Sequence, residues 1–187
     1  MDQMKLSAYD LEQKPEIVEL FSRVFAESEG EQEGRVIGKF VRDLMETTDK
    51  QDIFGFVADE NGQLTGSIFF TRLWFDAPID AFILSPVAIA SEKQGQGIGQ
   101  TLINFGIDQL RAEGVTLLFT YGDPNYYAKV GFQQVSEDIF RAPQPLSQPI
   151  GWLCQTLDGR NIEPLSGLSG LSGKSRCVAA LDNPELW

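Results

Sequence analysis

The chain has 187 residues, 42% of them apolar and 13 of them Phe, and a formal charge of −12 from 27 acidic and 15 basic side chains. That length and apolar content specify one folded domain with room for a small extension, and the charge excludes general affinity for nucleic acid or anionic membranes, which needs clustered Lys and Arg. The chain has no His, which rules out a Ser-His-Asp triad, a Cys-His pair and any His-based metal site, so proton transfer falls to carboxylates, Tyr, Lys, Cys, held water or a terminus.

The acidity serves solubility or matches a cationic, amine-bearing substrate; composition does not choose between them. Cys154 and Cys177 are too few for a disulfide framework and read as small, partly buried thiols, with a pairing between them left open. The first residues, MDQMKLSAYD, lack the basic and apolar regions of a signal peptide. The longest uncharged run, Ala81 to Ser91, falls far short of the ~20 residues that span a bilayer. A soluble, cytoplasmic protein without membrane or nucleic-acid partners is expected.

In chain order, Met4 to Ala8 reads as a short strand. Pro15 suits a helix first turn, and Ile17, Leu20, Phe21, Val24 and Phe25 recur at helical spacing up to a stop at Gly30. A second helix from Glu33 to Glu46 presents Ile37, Phe40, Val41 and Leu44. Between the two, Glu27, Glu29, Glu31 and Glu33 read either as a solvated interhelical loop or as an acidic lip for a cationic acceptor. Asp52–Asp59 is a strand, Asn61-Gly62 a hairpin turn, and Gln63–Phe75 the returning strand. After a turn at Pro78, Ala81–Ala90 is a third strand. Pro86 interrupts it, and because proline cannot donate a ladder bond it marks a bulge or a gap in pairing.

Gly95, Gly97 and Gly99 then lead into a helix from Ile98 to Glu113, with Gly114 as its C′ residue. Val115–Tyr121 reads as a buried strand of a right-handed crossover. Gly122-Asp123-Pro124 turns into a brief helix over Asn125–Lys129, and a strand is expected from Gly131-Phe132 to Phe140. From Arg141 to Trp187 the character changes, so two regions are expected: a main domain over 1–140 and an extension over 141–187 packed on it. The extension holds a strand near Gly151–Leu157, the repeat LSGLSGLSG over Leu165–Gly173 as a turned loop, and an edge strand over Cys177–Leu181 that would allow pairing across a homodimer.

A strand opening through glycines onto a helix N-terminus is a device for holding an anion, since the first helical N–H groups lack partners and the dipole adds positive charge. A P-loop string is absent. A dinucleotide fingerprint starting at Gly95 fails at its sixth position, Gln100. The pattern present is Gln94-x-x-Gly97-x-Gly99, and further on GDPNYYAKVGF contains Tyr-x-x-x-Gly-Phe from Tyr127 to Phe132. Pro86 is a credible source of a gap in the sheet, leaving the backbone of Val87, Ala88 and Ile89 free to pair with an extended, amide-bearing ligand bound as a false strand.

These motifs resemble the GNAT superfamily of acetyl-CoA-dependent N-acetyltransferases. The likeness spans about Asp52 to Phe132, includes the preceding helix pair and fades over the extension. "LSPVAI…QGQGIG…GDPNYY" resembles a subgroup of predicted bacterial members whose substrates are mostly unassigned. The resemblance implies an α/β (α+β) fold with a mixed, mostly antiparallel sheet, a splayed parallel strand pair and helices on both faces. It implies acetyl-CoA as cosubstrate without a metal, with its pyrophosphate on Gln94, Gly95, Gln96, Gly97, Ile98 and Gly99. It also implies direct attack by an amine in a ternary complex, an oxyanion held by the N–H of Ile89 or Ala88, and Tyr127 as the acid for the departing thiolate.

Tyr126 stands beside Tyr127 as an alternative, and Asn125 either caps the short helix or binds the pantetheine arm. An acceptor amine with a pKa near 10.4 must lose its proton near pH 7, at about 4.6 kcal/mol. Asp123, Glu29, Glu31 or water held near Ser85 are the candidate bases, and none stands out. The alternative function is a catalytically weak acyl-CoA-binding sensor or structural subunit.

Overall fold

The structure, a computed structural model, describes residues 3–162 and 175–187. The LSGLSGLSG repeat lies outside the described residues. The strands are β1 (Met4–Ala8), β2 (Ile53–Glu60), β3 (Gln63–Trp74), β4 (Ala81–Ile89), β5 (Leu117–Tyr121), β6 (Gln133–Gln134), β7 (Trp152–Thr156) and β8 (Arg176–Cys177); helices α1 (Lys14–Glu29) and α2 (Glu31–Thr47) follow β1, α3 (Ile98–Ala112) follows β4 and α4 (Pro124–Ala128) follows β5. The sheet order is β1-β2-β3-β4-β5-β7-β6, with β8 pairing β3. The chain divides into two compact units, Met1–Phe70 with Pro86–Gly106, and Thr71–Ser85 with Ile107–Trp187.

In the first unit, β1 runs antiparallel to β2 from Met4↔Glu60 to Ala8↔Phe56. Asn61 (φ 56°) and Gly62 (φ 82°) both take left-handed backbone, the geometry that makes Asn-Gly the preferred hairpin pair. Asp10 and Gln13 form a capping box ahead of α1, whose Ile17, Leu20, Phe21 and Val24 are buried. Phe21 of α1 packs on Phe69 at 6.0 Å between centroids. The space beside Gly106 of α3 is closed by Phe70, where a Cβ would stand 2.5 Å from the ring. Phe69 and Phe70 are consecutive in β3, so α1 and α3 cover opposite faces of that strand.

The helix junction differs from expectation. Gly30 alone separates α1 from α2, at φ 103°, so the alternate glutamates belong to helix ends and not to an interhelical loop. Close packing explains the tight turn. A Cβ at Gly34 would stand 2.5 Å from the Ser22 carbonyl oxygen, and one at Gly38 would stand 2.1 Å from the Ser22 Oγ. Two glycines one turn apart therefore let α2 cross directly over α1.

In the second unit, β4 and β5 pair in parallel from Ala81↔Leu117 to Leu84↔Thr120. β7 runs antiparallel to β5 from Leu117↔Thr156 to Tyr121↔Trp152, and β6 pairs β7 on its other side. Phe119 stacks on Trp152 at 4.9 Å and meets Phe140 edge-on at 5.2 Å, so the aromatics of the C-terminal half build this core. α3 ends in a Schellman motif: Val115 N–H donates to the Leu110 carbonyl, Gly114 N–H to that of Arg111, and Gly114 sits at φ 86°.

The strand expected from Gly131 to Phe140 is only Gln133–Gln134. Val135 N–H donates to the Trp152 carbonyl, and the chain then coils at Ser136, whose carbonyl accepts from Ile139 and Phe140 N–H. That coil turns Phe140 into the aromatic core, where it is fully buried. The Cys177–Leu181 strand is likewise shorter: Arg176–Cys177 pairs with Trp74 and Leu73, and Ala179–Leu181 is a 3-10 turn.

Candidate functional site

The end of β4 and the turn that follows form one part of the site, all within the first unit. Ala88 is 2% exposed, while Val87 and Ile89 alternate with it as half-buried positions. Beyond them Ala90 N–H donates to the Thr65 carbonyl at 2.8 Å. Three side-chain ties fix the 3-10 turn Ser91–Lys93. Ser91 Oγ donates to a Glu27 carboxylate oxygen, Arg23 Nη1 lies 3.8 Å from Glu92 Oε1, and Lys93 Nζ lies 2.6 Å from Glu60 Oε2. Arg23, Glu27 and Glu60 carry no sequence signal for this task, since they reach the turn from 33 to 69 positions away.

From that anchored turn the glycine segment opens. Gly95 (φ 77°) and Gly97 (φ 82°) adopt left-handed backbone, and a Cβ on either would meet nothing within 4 Å. Their glycine requirement therefore comes from backbone conformation, with open space above them. Gly99 differs: it is the buried second residue of α3. Thr101 anchors the helix start, its N–H donating to the Gly97 carbonyl at 3.0 Å and its Oγ1 to the same oxygen at 2.9 Å. Ile98, 5% exposed, pins the first turn to the core. The N–H groups from Gly95 through Gln100 have no acceptor among the described residues, which leaves a run of donors at the positive end of a 15-residue helix.

Gln94 has a more specific place than its motif position implies. Its Nε2 donates to the Ile89 carbonyl at 3.0 Å and its N–H reaches the Ser91 carbonyl at 3.4 Å. The side chain thus ties the glycine segment back to the last residue of β4. Gln96 Nε2 reaches the Glu92 carbonyl at 3.4 Å.

The Tyr-bearing element lies in the second unit. Asp123 caps α4 by accepting from Asn125 N–H at 2.9 Å, so the capping role weighed for Asn125 belongs to Asp123; Asn125 is the exposed second residue of the helix. Tyr127 is partly buried. Its ring stands edge-on to Tyr126 at 5.0 Å and to Phe132 at 5.8 Å, and its N–H donates to the Asp123 carbonyl. The hydroxyl is hydrogen-bonded to Thr120, whose Oγ1 donates to the Leu84 carbonyl at 2.9 Å. The Thr120 contact acts on the phenol in the opposite sense to burial. Thr120 is fully buried and was not a sequence candidate.

Burial pushes the Tyr127 hydroxyl up to about 12, with smaller contributions in the same direction from Tyr126 and Asp123, so the phenol keeps its proton throughout the neutral range. Burial raises Tyr126 as well. Gly122 completes the element: a Cβ there would stand 2.7 Å from Tyr127 Cε2, so glycine is required for the ring to lie where it does. Cys154 and Cys177 are free thiols, both pushed up to about 12 chiefly by burial, which suppresses their thiolate reactivity. Among the described residues no helix is long and apolar enough to cross a membrane.

Comparison with known proteins fits this geometry. Residues 51–134 match the acetyltransferase (GNAT) domain. The uncharacterized N-acetyltransferase YjhQ of Escherichia coli K12 is 32% identical over 144 residues, 74% of this chain and 76% of that protein. The uncharacterized N-acetyltransferase YhbS of the same strain is 29% identical over 135 residues, 71% and 77% of the two chains. The fold is shared with a crystal structure of YhbS in complex with CoA, at TM-score 0.79 and 23% identity, covering 98% of this chain and 94% of that one. It is shared also with a GNAT acetyltransferase from Brucella melitensis in complex with acetyl-CoA, at TM-score 0.67 and 23% identity, covering 86% and 92%.

Proposed function

The chain belongs to the GNAT acetyltransferase family, and from that premise we propose that it transfers the acetyl group of acetyl-CoA to a primary amine of a small molecule or protein by direct attack in a ternary complex. The observation that carries the reading is the run of N–H groups from Gly95 to Gln100 with no acceptor among the described residues, held open by left-handed backbone at Gly95 and Gly97. Such a run at a helix N-terminus suits a pyrophosphate. Related GNAT proteins solved with CoA and acetyl-CoA support the same cosubstrate here. The pantetheine arm pairs with the backbone of Val87, Ala88 and Ile89, and the N–H of Ile89 or Ala88 receives the oxyanion. The Ile89 carbonyl itself accepts from Gln94 Nε2.

In the reaction the amine nitrogen bonds to the thioester carbon, the C–S bond breaks, and the proton shed by nitrogen must end on sulfur. Tyr127 serves the sulfur. A phenol at about 12 cannot simply hand its proton to a thiolate of ordinary pKa near 8.5, since roughly three and a half units of mismatch amount to ~5 kcal/mol. The transfer balances when Tyr127 gives its proton to sulfur as it recovers the one leaving the nitrogen, directly or through water. Holding both reactants in line supplies much of the remaining acceleration.

The test is incubation with acetyl-CoA and a panel of amines, read by mass spectrometry for a gain of one acetyl group and by thiol release. Acetylation of at least one primary amine is expected, with turnover falling sharply in Tyr127→Phe. No CoA binding at millimolar concentration would sink the reading, and Tyr127→Phe with unchanged turnover would remove Tyr127 from the mechanism.

A further inference from the structure

The second unit carries a pocket that the transfer chemistry has not yet used. It measures about 450 Å³ and lies at the C-terminal end of β5, between the Gly122–Pro124 turn and the segment from Ser147 to Gly151. That volume is within the range of small-molecule sites. Its walls are fixed. The Tyr121 hydroxyl accepts from Gln148 N–H at 2.7 Å and shares a hydrogen bond with Ser147 Oγ at 2.9 Å, while its ring stacks on Trp187 at 6.0 Å. The far wall lies close: a Cβ on Gly151 would be 2.9 Å from the Gly122 carbonyl oxygen.

Two side chains give the pocket its chemistry. Asp123 brings a carboxylate of which one oxygen, Oδ1, accepts from Asn125 N–H. Ile150 stands 57% exposed, one of two large apolar side chains so placed among the described residues. No Lys or Arg is among the described residues that line the pocket. A carboxylate beside an exposed branched apolar group suits an ammonium carried on methylenes. The pocket also adjoins the proposed acid, because the Tyr127 ring packs directly under Gly122 and Asp123 acts electrostatically on its hydroxyl.

Resting on the acetyl-transfer reading above, we propose that this pocket is the acceptor subsite, that its substrate is a compact diamine, and that Asp123 holds the ammonium which is not acetylated. The assignment follows from charge. A carboxylate paired with the reacting nitrogen would keep that nitrogen protonated and block attack on the thioester. Paired with a second nitrogen, it anchors the molecule and leaves the reacting amine free to lose its proton. A monoamine placing its single ammonium on Asp123 is bound but unreactive.

The test pairs 1,6-diaminohexane with 1-aminohexane, measuring binding by titration calorimetry and acetylation by mass spectrometry on the full chain. Asn caps a helix as well as Asp, so Asp123→Asn removes the charge and keeps the turn; Ile150→Lys adds an opposing charge at an exposed position. Both amines are expected to bind, with Asp123→Asn weakening each about threefold or more, as for an exposed ion pair, and Ile150→Lys weakening them further. The diamine is expected to exceed the monoamine at least about tenfold in kcat/KM, the effect of one unit in the reacting amine's pKa. Unchanged affinity in Asp123→Asn, or a monoamine acetylated as well as the diamine, would overturn the proposal. Acetylation of other amines without dependence on Asp123 would reject the pocket and leave the transferase reading standing. Binding that depends on Asp123 with no amine ever acetylated would uphold the ammonium site and remove the transferase reading.

Discussion

Replacing Gly122 with Ala isolates the placement of one phenol. The φ of Gly122 lies outside the left-handed region, so the backbone accepts Ala without strain. What the new methyl meets is Tyr127, at 2.7 Å from Cε2, 3.4 Å from Cδ2 and 3.7 Å from Cζ. Carbon atoms settle about 3.5–4.0 Å apart, so the ring must give way by about 1 Å. Its freedom is small, because Tyr126, Phe132 and the hydrogen bond to Thr120 hold the other sides. For the acid role proposed for Tyr127, a displacement of that size lowers turnover by as much as about 100-fold, and the overpacking destabilises the fold by about 1–3 kcal/mol. The expected result is a 10- to 100-fold fall in kcat by thiol release, with the Kd for CoA within about twofold of wild type. In a Tyr127→Phe background the same substitution should add little further loss, since both act through one hydroxyl. A kcat for Gly122→Ala within about twofold of wild type, or a loss that persists undiminished in Tyr127→Phe, would refute the reasoning.

Three other outcomes follow from the same geometry. Gly97→Ala meets no steric barrier but forces Ala to φ 82°; strain of about 1–2 kcal/mol should lower Tm by a few degrees and weaken CoA binding about tenfold, whereas an unchanged Kd would show that the loop conformation is not the binding one. The pH–rate profile should climb as the amine deprotonates and show no falling limb near 10, because the protonated phenol is the working form and burial carries its pKa to about 12; a descending limb centred near 10 would remove Tyr127 as donor. Native Cys154 holds its proton up to about 12, while the unfolded thiol loses it near the ordinary value of 9.0. The folded state therefore binds more protons between those values, and stability is lost as pH rises through that window; the urea midpoint should fall from pH 8.5 to 10.5, and less steeply in Cys154→Ala, with an equal fall in both counting against the assignment.

Most of the fold was legible because its signals are local. β1 begins and ends at the residues expected from the sequence, and Asn61-Gly62, Pro15 and Gly114 each act within one turn of chain, so the sequence names the element they begin or end. The glycine pattern after Gln94 works in the same way: left-handed backbone at Gly95 and Gly97 is a property of those residues. Where the reading failed, the deciding partner was remote. The glutamates around Gly30 looked like a loop because Gly34 and Gly38 matter only once α2 lies on Ser22 of α1. The strand after Gly131 stopped early because Phe140 had a better place against Phe119 and Trp152.

The sequence by itself therefore determined the glycine loop and the family, since both rest on short-range backbone requirements that few residues satisfy. Tertiary structure alone decided how that machinery is held. Glu27, Arg23 and Glu60 grip the turn before the glycines, and Thr120 and Gly122 set the Tyr127 phenol. Asp123, one of the candidate bases, is also the cap of α4 and a wall of the pocket beside it. Such contacts join residues far apart in the chain or buried from solvent, and their energies exist only after the chain has closed on itself.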